Sequence, residues 1–224
     1  MWYVTNQKPG VSALGLQNAL GLGSYRTAWS WLHKLRRAMV RPGRDRLSGL
    51  VELDEIWIGG EHPGQTGRGA LGKTMVLVAA QEVQTGRIGR IRLRRIVDGS
   101  SGAINVAVPL CIEPGATIRT DGWTGYSDLP ALGYRRIVAR KGGAVGEDAL
   151  PLVNRVASLL KRWLLGTHQG AVRLSHLDYY LDEFTFRFNR RTSRSRGLLF
   201  YRLAQQAMTL GPWTQADIRR SRTE

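Results

Sequence analysis

The amino-acid sequence predicts an α/β fold in which a mixed β-sheet is flanked by helices. Three strand-like segments, each rich in apolar residues, follow one another in the middle of the chain, and apolar residues recur every three or four positions on both sides of them. A length of 224 residues accommodates one sizeable α/β domain with a small helical appendage. We therefore expect a helical segment over 1–46, an α/β domain over 47–200 and a basic tail over 201–224.

The N-terminal segment has the pattern of two helices joined by a short turn. Apolar residues recur at helical spacing over 14–20 and again over 28–39, Gly21 and Gly23 interrupt the pattern, and Ser24 is a suitable N-cap for the second helix. This is the outline of a helix-turn-helix, whose second helix would offer polar and basic groups to DNA. An ordinary helical hairpin with a solvated basic face is the alternative. The predicted DNA-facing residues are Arg26, Ser30, His33 and Arg37.

The middle of the chain reads as an antiparallel meander of three strands, over 49–58, 73–81 and 87–97. A loop rich in glycine over 61–72 separates the first two. In the third strand, alternation places Ile91 and Leu93 on one face and three arginines on the other. We predict that these arginines contact DNA: Arg90, Arg92 and Arg94.

The remaining segments complete a recognisable topology. We predict a helix at 100–110, a strand at 116–120, a short helix at 124–132, a strand at 134–139 and long helices at 151–165 and 175–188. Three antiparallel strands followed by crossover units are typical of the RNase-H-like (retroviral integrase) fold. In that order the first and fourth strands lie side by side and parallel.

Two aspartates are the main candidates for chemistry. Asp54 lies within the first strand and Asp121 at the end of the fourth. Neighbouring strands are roughly 5 Å apart, so both carboxylates can reach one divalent cation, Mg²⁺ or Mn²⁺, together with substrate phosphates. The alternatives are an arginine partner for Asp54 and a helix-capping role for Asp121. Glu55, on the opposite face of the strand, is interpreted as structural or solvated.

The helix at 151–165 offers a third position. Asn154, Ser158 and Lys161 are spaced by four and three residues and therefore share one face. The Asn154 carbonyl could complete a metal shell, and the Lys161 ammonium could hold a nearby phosphate. A solvated stripe on an amphipathic helix is the alternative.

Net charge points to a polyanionic partner. With 33 lysines and arginines against 17 acidic residues, the formal charge is +16, and nucleic acid is the commonest partner for such a chain. A basic run follows the helix at 175–188, and we expect its arginines to contact the phosphate backbone rather than form only a solvated surface. The run contains Arg187, Arg190, Arg191, Arg194 and Arg196.

The single cysteine, Cys111, can form neither an intramolecular disulfide nor, with four scattered histidines, a zinc site. No segment resembles a membrane span or a signal peptide. We therefore expect a cytoplasmic protein.

Several long segments resemble one transposase group. VELDEIWIGG, IRTDGWTGY, VNRVASLLKRWLLGTHQG and HLDYYLDEFTFRFNRR resemble, in that order, the blocks of the ISXO-two-like group of the IS-fifteen-ninety-five family, within the DDE transposase and retroviral-integrase superfamily. The segment QKPGVSALGLQNALGLGSYRTAWSWLHKLR also resembles that group, so the likeness runs from about residue 7 to about residue 200.

The resemblance implies that Asp54 and Asp121 are the first two catalytic acids, that Asn154 takes the place usually held by glutamate, and that Lys161 is the accompanying lysine. It also implies two Mg²⁺ or Mn²⁺ ions, a bacterial, nucleoid-associated protein and a homo-oligomeric active complex. Members commonly carry an N-terminal zinc ribbon; this sequence has no second cysteine, and we expect no zinc in it.

We therefore expect a transposase that cleaves double-stranded DNA at insertion-sequence ends and joins it to target DNA. Two alternatives are a nuclease of the same fold, which would not join strands, and a non-catalytic DNA-binding regulator derived from a transposase.

Overall fold

The computed structural model describes residues 1–39, 46–59, 73–139, 149–170 and 172–219. The chain forms two compact units, the sheet unit (residues 45–162) and the helical unit (residues 1–44 and 163–224). The loop predicted over 61–72 and the last residues of the predicted tail, 220–224, lie outside the described residues. None of the helices in the described ranges is long and apolar enough to cross a membrane.

The elements follow the predicted order. They are α1 (Trp2–Asn6), α2 (Ala13–Leu20), α3 (Tyr25–Ala38), β1 (Leu50–Ile58), β2 (Thr74–Gln84), β3 (Arg87–Ile96), α4 (Ser101–Cys111), β4 (Thr117–Thr120), β5 (Arg135–Val138), α5 (Pro151–Gly166), α6 (Leu177–Phe188), α7 (Arg196–Met208) and α8 (Gln215–Arg219). Short 3-10 turns lie at Thr124–Tyr126, Leu129–Leu132 and Leu174–His176. The helix predicted over 124–132 is therefore wrong, because glycine and proline at 125, 130 and 133 divide it into two tight turns.

The sheet has the strand order β3-β2-β1-β4-β5. β1 and β3 are each antiparallel to β2, whereas β4 lies parallel to β1, and β5 parallel to β4. The predicted mixed α/β sheet, with its RNase-H-like strand order and its parallel first and fourth strands, is confirmed.

Side-chain alternation gives the sheet two covered faces. Odd-numbered β1 residues such as Val51 and Leu53 belong to an apolar core that also contains Ile104 and Val108 of α4. Even-numbered residues lie on the other face, where Glu52 contacts the first turn of α5. A helix therefore packs against each face of β1, as expected for a strand in the centre of an α/β sheet.

The helical unit has its own apolar core, which includes Val4, Leu16, Leu32, Phe186 and Leu203. Leu203 belongs to α7, so the segment predicted to be a basic tail contributes to a packed core. Residues 163–200 likewise group with the N-terminal helices rather than with the sheet. α6 and α7 therefore group with the N-terminal helices, among which they bury apolar residues such as Phe186 and Leu203.

Candidate metal centre and basic surface

The two candidate aspartates lie just beyond the end of the parallel pairing between β1 and β4. The parallel register matches Val51 with Ile118 and Glu52 with Arg119. Continued by two residues, the same register would match Asp54 with Asp121, which directly follows the end of β4. Glu52 and Arg119 form an ion pair at 3.2 Å, so their side chains share a face, and Asp54 follows Glu52 by two residues on that face of β1.

Local backbone donors orient both carboxylates. Oδ1 of Asp54 accepts a hydrogen bond from the N–H of Glu55 at 2.9 Å, and Oδ1 of Asp121 accepts one from the N–H of Trp123 at 2.9 Å. Both side chains are half-buried. Asp121 therefore closes a short turn onto Trp123, but the 3-10 turn that follows has Trp123 at its N-cap position and no side-chain cap, so Asp121 does not cap it. The bond from Trp123 also fixes the orientation of the Asp121 carboxylate.

The loop that carries Asp121 is held by close contacts. Arg136 donates to the carbonyls of Asp121 and Trp123 at 3.0 Å each, and the indole N–H of Trp123 donates to the carbonyl of Gly99 at 2.8 Å. A Cβ at Gly125 would lie 2.5 Å from that same Gly99 oxygen. Only glycine fits there without a shift of the backbone.

Tyr126 binds Glu55, the residue that follows Asp54 in β1. Its hydroxyl donates to Oε2 of Glu55, which gives that glutamate a structural role on the core face of β1. Burial raises the pKa of Tyr126, and the negative charges of Glu55, Asp54 and Asp121 raise it further. All three carboxylates therefore lie within electrostatic range of one phenol, which is consistent with the register.

Glu52 is a site-forming residue that the sequence reasoning did not single out. It is fully buried, and its Oε2 accepts hydrogen bonds from the N–H groups of Leu152 and Val153 at 2.8 and 3.1 Å. Burial raises the pKa of Glu52, opposed by these two hydrogen bonds and by Arg119. The sequence did contain a signal for Glu52. Like Asp54, it is an acidic residue in an apolar strand, and a buried carboxylate needs a partner.

The α5 stripe has the predicted exposure. Asn154, Ser158 and Lys161 are exposed, whereas Val156 and Leu160 are buried. Asn154 directly follows the two residues that bind Glu52, so the first turn of α5 begins on the face of β1 that bears Asp54. Within the described ranges, no three His, Cys, Asp or Glu side chains converge as a metal-binding group. The proposed ligand set has only two carboxylates.

The predicted DNA-facing residues of the helical unit have different environments. Arg26 is exposed. The guanidinium of Arg37 stacks over Trp213 with 3.8 Å to the ring centroid. The exposed placement predicted for His33 is wrong, because it is fully buried against Trp29 and Tyr179.

The β3 arginines are less accessible than alternation suggests. Arg92 is buried at 5% exposure, so its predicted place on a DNA-facing surface is wrong. Arg90 and Arg94 are half-buried.

Around His33 the helical unit buries a network of ionisable groups. Arg36 donates to Oε2 of Glu183 at 2.7 Å, and Arg187 contacts Oε1 of the same carboxylate at 2.7 Å. Although burial opposes ionisation, the charges of Arg36 and Arg187 hold the pKa of Glu183 at about 2. Burial, followed by nearby positive charge, lowers the pKa of His33 to about 2 and that of His168 to about 4.

Several arginines of the basic run after α6 make contacts within the protein. Besides Glu183, Arg187 donates to the carbonyls of Gln7 and Val4 at 2.8 and 3.1 Å, so it holds the N-terminal segment. Arg190 and Arg191 stack on Phe186 and Phe188 at 4.1 Å from each ring centroid. Arg194 is exposed, and the side chain of Arg196 lies outside the described part of the structure.

A cavity of about 140 Å³ opens beside this run. It combines apolar side chains with four cationic ones, and no carboxylate is among the residues that line it. Lys8 is the cation that the sequence reasoning did not identify. The lining residues are Thr5, Lys8, Met39, Phe186, Arg187, Arg190, Arg191 and Leu199.

The strand order β3-β2-β1-β4-β5, with β4 parallel to β1, is that of the RNase-H-like class. The family model of the ISXO2-like transposase domain matches residues 46–189, and the chain belongs to that family. The solved structure of the Mos1 strand transfer complex aligns over 80% of this chain at 12% identity, with a TM-score of 0.32. This chain spans 59% of the length of that Mos1 chain. A comparison with curated proteins gives no match.

Proposed function

We propose that this chain is a DDE-type transposase, a polynucleotidyl transferase that cleaves DNA at insertion-sequence ends and joins the cut strand to target DNA. The observation that carries the proposal is the parallel β1–β4 register, which pairs Glu52 with Arg119 and, continued by two residues, would match Asp54 with Asp121. Membership of the transposase domain family supports it. From the family alone we also propose that the active form is a homo-oligomer acting on paired DNA ends.

The donor set fits divalent magnesium or manganese. Asp54 and Asp121 supply carboxylate oxygens and Asn154 a carbonyl oxygen, which are the ligands these ions prefer. When bound, two such ions would activate a water or 3′-hydroxyl nucleophile and stabilise the leaving oxygen at phosphorus. Because Asn154 is neutral, this set carries one negative charge fewer than a three-carboxylate site. We therefore expect tight metal binding only when DNA phosphates contribute.

Lys161 and the basic residues position the DNA in this proposal. Lys161 lies two turns after Asn154 and is exposed, so its ammonium can hold a phosphate near the reacting one. Exposed Arg26 and half-buried Arg90 and Arg94 offer further phosphate contacts. The cavity lined by Lys8, Arg190 and Arg191 suits one phosphate of the DNA backbone, since positive charge surrounds it. His33 and Arg92 are buried, so we no longer assign them a DNA contact.

A strand-transfer assay with Mg²⁺ and duplex DNA carrying the element's ends tests the proposal. Asp54→Asn and Asp121→Asn keep the size of each side chain but remove a charge on which the metal depends. Since such an interaction is worth several kcal/mol, each variant should lose on the order of 1,000-fold in rate. Asp128→Asn is the matched control, because Asp128 is an exposed aspartate bound to Asn105, and it should react within about twofold of wild type.

The products decide between the alternatives. Joined strands support a transposase, cleavage without joining indicates a nuclease, and shifted but intact DNA indicates a regulator. Full activity in Asp54→Asn would contradict the proposed metal centre.

A further inference from the structure

Glu52 contacts all three segments on which the proposed metal ligands lie. Its Oε2 accepts from Leu152 and Val153 of α5, and its Oε1 accepts from Arg119 of β4 at 3.2 Å. Its own backbone belongs to β1. Each contact point is one or two residues from a proposed ligand: Asp54 follows Glu52 by two, Asp121 follows Arg119 by two, and Asn154 follows Val153 directly.

We propose that Glu52 is a positioning residue that sets the first turn of α5, and with it Asn154, against the two aspartates. This inference rests on the proposed function, since it concerns the geometry of the same metal centre. The first N–H groups of a helix have no partner within the helix, and a negative charge there is favourable because of the helix dipole. The Glu52 carboxylate satisfies two of these donors from inside the sheet. The start of α5 is therefore fixed to the strand that carries Asp54.

Arg119 completes the arrangement. Its guanidinium binds Oε1 of Glu52 and also Glu82, each at 3.2 Å. The two oxygens of Glu52 thus have different partners, the helix on one side and β4 on the other. A metal such as Mg²⁺ demands near-ideal octahedral geometry, so a small shift of α5 against the strands would reduce the affinity of the site.

Glu52→Gln tests this role with a nearly isosteric side chain. Glutamine keeps an oxygen that can accept from the helix, but its NH₂ group would face the Arg119 guanidinium, and the negative charge at the helix start is lost. Glu82→Gln is the matched control, because Glu82 binds the same guanidinium at the same distance and otherwise accepts from the N–H of Gly86, in the turn after β2.

The first measurement is amide hydrogen exchange in the metal-free protein. We expect the N–H groups of Leu152 and Val153 to exchange about tenfold faster in Glu52→Gln than in wild type, since hydrogen bonds to a charged acceptor are roughly twice as strong as neutral ones. In Glu82→Gln both rates should stay within about twofold of wild type. Unchanged exchange in Glu52→Gln overturns the positioning role whatever the metal does.

The second measurement is a double-mutant cycle on metal affinity, with Mn²⁺ as the probe and a duplex lacking element ends bound. Glu52→Gln should raise the Mn²⁺ dissociation constant about tenfold in the chain that has Asn154 and less than about twofold in the Asn154→Ala chain. A residue that only stabilises the fold would give the same factor in both backgrounds, and that result overturns the inference.

Failure of the proposed function has its own signature. If Asp54→Asn binds Mn²⁺ as wild type does, the metal centre itself is wrong, and the positioning role is rejected with it. If Asp54→Asn abolishes binding while Glu52→Gln has equal effects in both backgrounds, the metal centre stands and only the positioning role is rejected.

Discussion

The sheet unit and the helical unit pair their buried carboxylates differently. In the sheet unit, Glu52 is fully buried, but its partner Arg119 keeps 29% of its side chain exposed, and the two aspartates are half-buried. In the helical unit, the Arg36 and Glu183 side chains are 2% and 1% exposed. The net charge of +16 therefore says little about which charges can meet DNA. Burial separates charges that hold the protein together from charges that remain available to a ligand.

Removing Glu183 should produce the largest stability effect. Glu183→Gln leaves Arg36 and Arg187 without the carboxylate that both contact, and breaking a buried pair typically costs about 3 kcal/mol or more. We expect the helical unit to lose about 3 kcal/mol of unfolding free energy, measured by denaturant titration with tryptophan fluorescence. Glu82→Gln, which removes the partly exposed pair with Arg119, should cost less than about 1 kcal/mol. Equal losses in the two variants would remove the contrast between the units.

Acid should weaken the helical unit selectively. Folded His33 and His168 have lowered pKa values, about 2 and about 4, against 6.5 for the ordinary side chain. Below pH 6.5 the two histidines bind protons in the unfolded chain but stay neutral in the folded chain. The free energy of unfolding therefore decreases as the pH falls below 6.5. Glu183 acts in the same direction between 4.5 and about 2. From pH 7 to pH 5 we expect a loss of about 1–2 kcal/mol for each histidine.

Denaturant titrations at pH 7, 6 and 5 measure this slope. In His168→Gln the dependence of unfolding free energy on pH should decrease by the contribution of His168, even if the variant is less stable at pH 7. A pH slope identical to that of wild type would show that His168 is protonated equally in the folded and unfolded chains.

The smallest effects concern the accessible cations. Lys8→Gln and Arg191→Gln should each weaken binding to duplexes with and without element ends alike, by about three- to tenfold, and reduce the slope of log affinity against log salt by about one. Arg87→Gln removes the same charge from an exposed arginine of the sheet unit that does not line the cavity, and it should have a weaker effect. A defect confined to end-containing DNA would contradict phosphate binding in this cavity.

Local patterns predicted most of the sheet unit. Alternation and turn residues located the five strands of the sheet, and their order predicted the parallel pairing of β1 with β4. The partner of Glu52 lies 100 residues away, and no local pattern reveals it. The position of Asp54 was predictable because it follows from strand order, whereas the support around it follows from tertiary contacts.

The helical unit was harder to predict because its core is not purely apolar. His33 lies on the polar side of a regular helical pattern, yet Trp29 and Tyr179 bury it, and the latter is 146 residues away in sequence. In α6, Asp182, Glu183 and Thr185 are buried together with the apolar stripe. The arginines over 187–196 predicted phosphate contact and the segment after residue 200 was predicted to be a basic tail, although Leu203 of α7 packs in the core of the helical unit.

The rate at which the Cys111 thiol is labelled reports on opening of the sheet unit. Cys111 is the only thiol in the sequence, it ends α4, and it lies at 5% exposure within the core built on β1. A thiol-reactive reagent can reach it only when that core opens, so the rate of its labelling reports how often the sheet unit opens. The helical unit contains no cysteine, so the labelling rate reports only on the unit that carries Asp54 and Asp121.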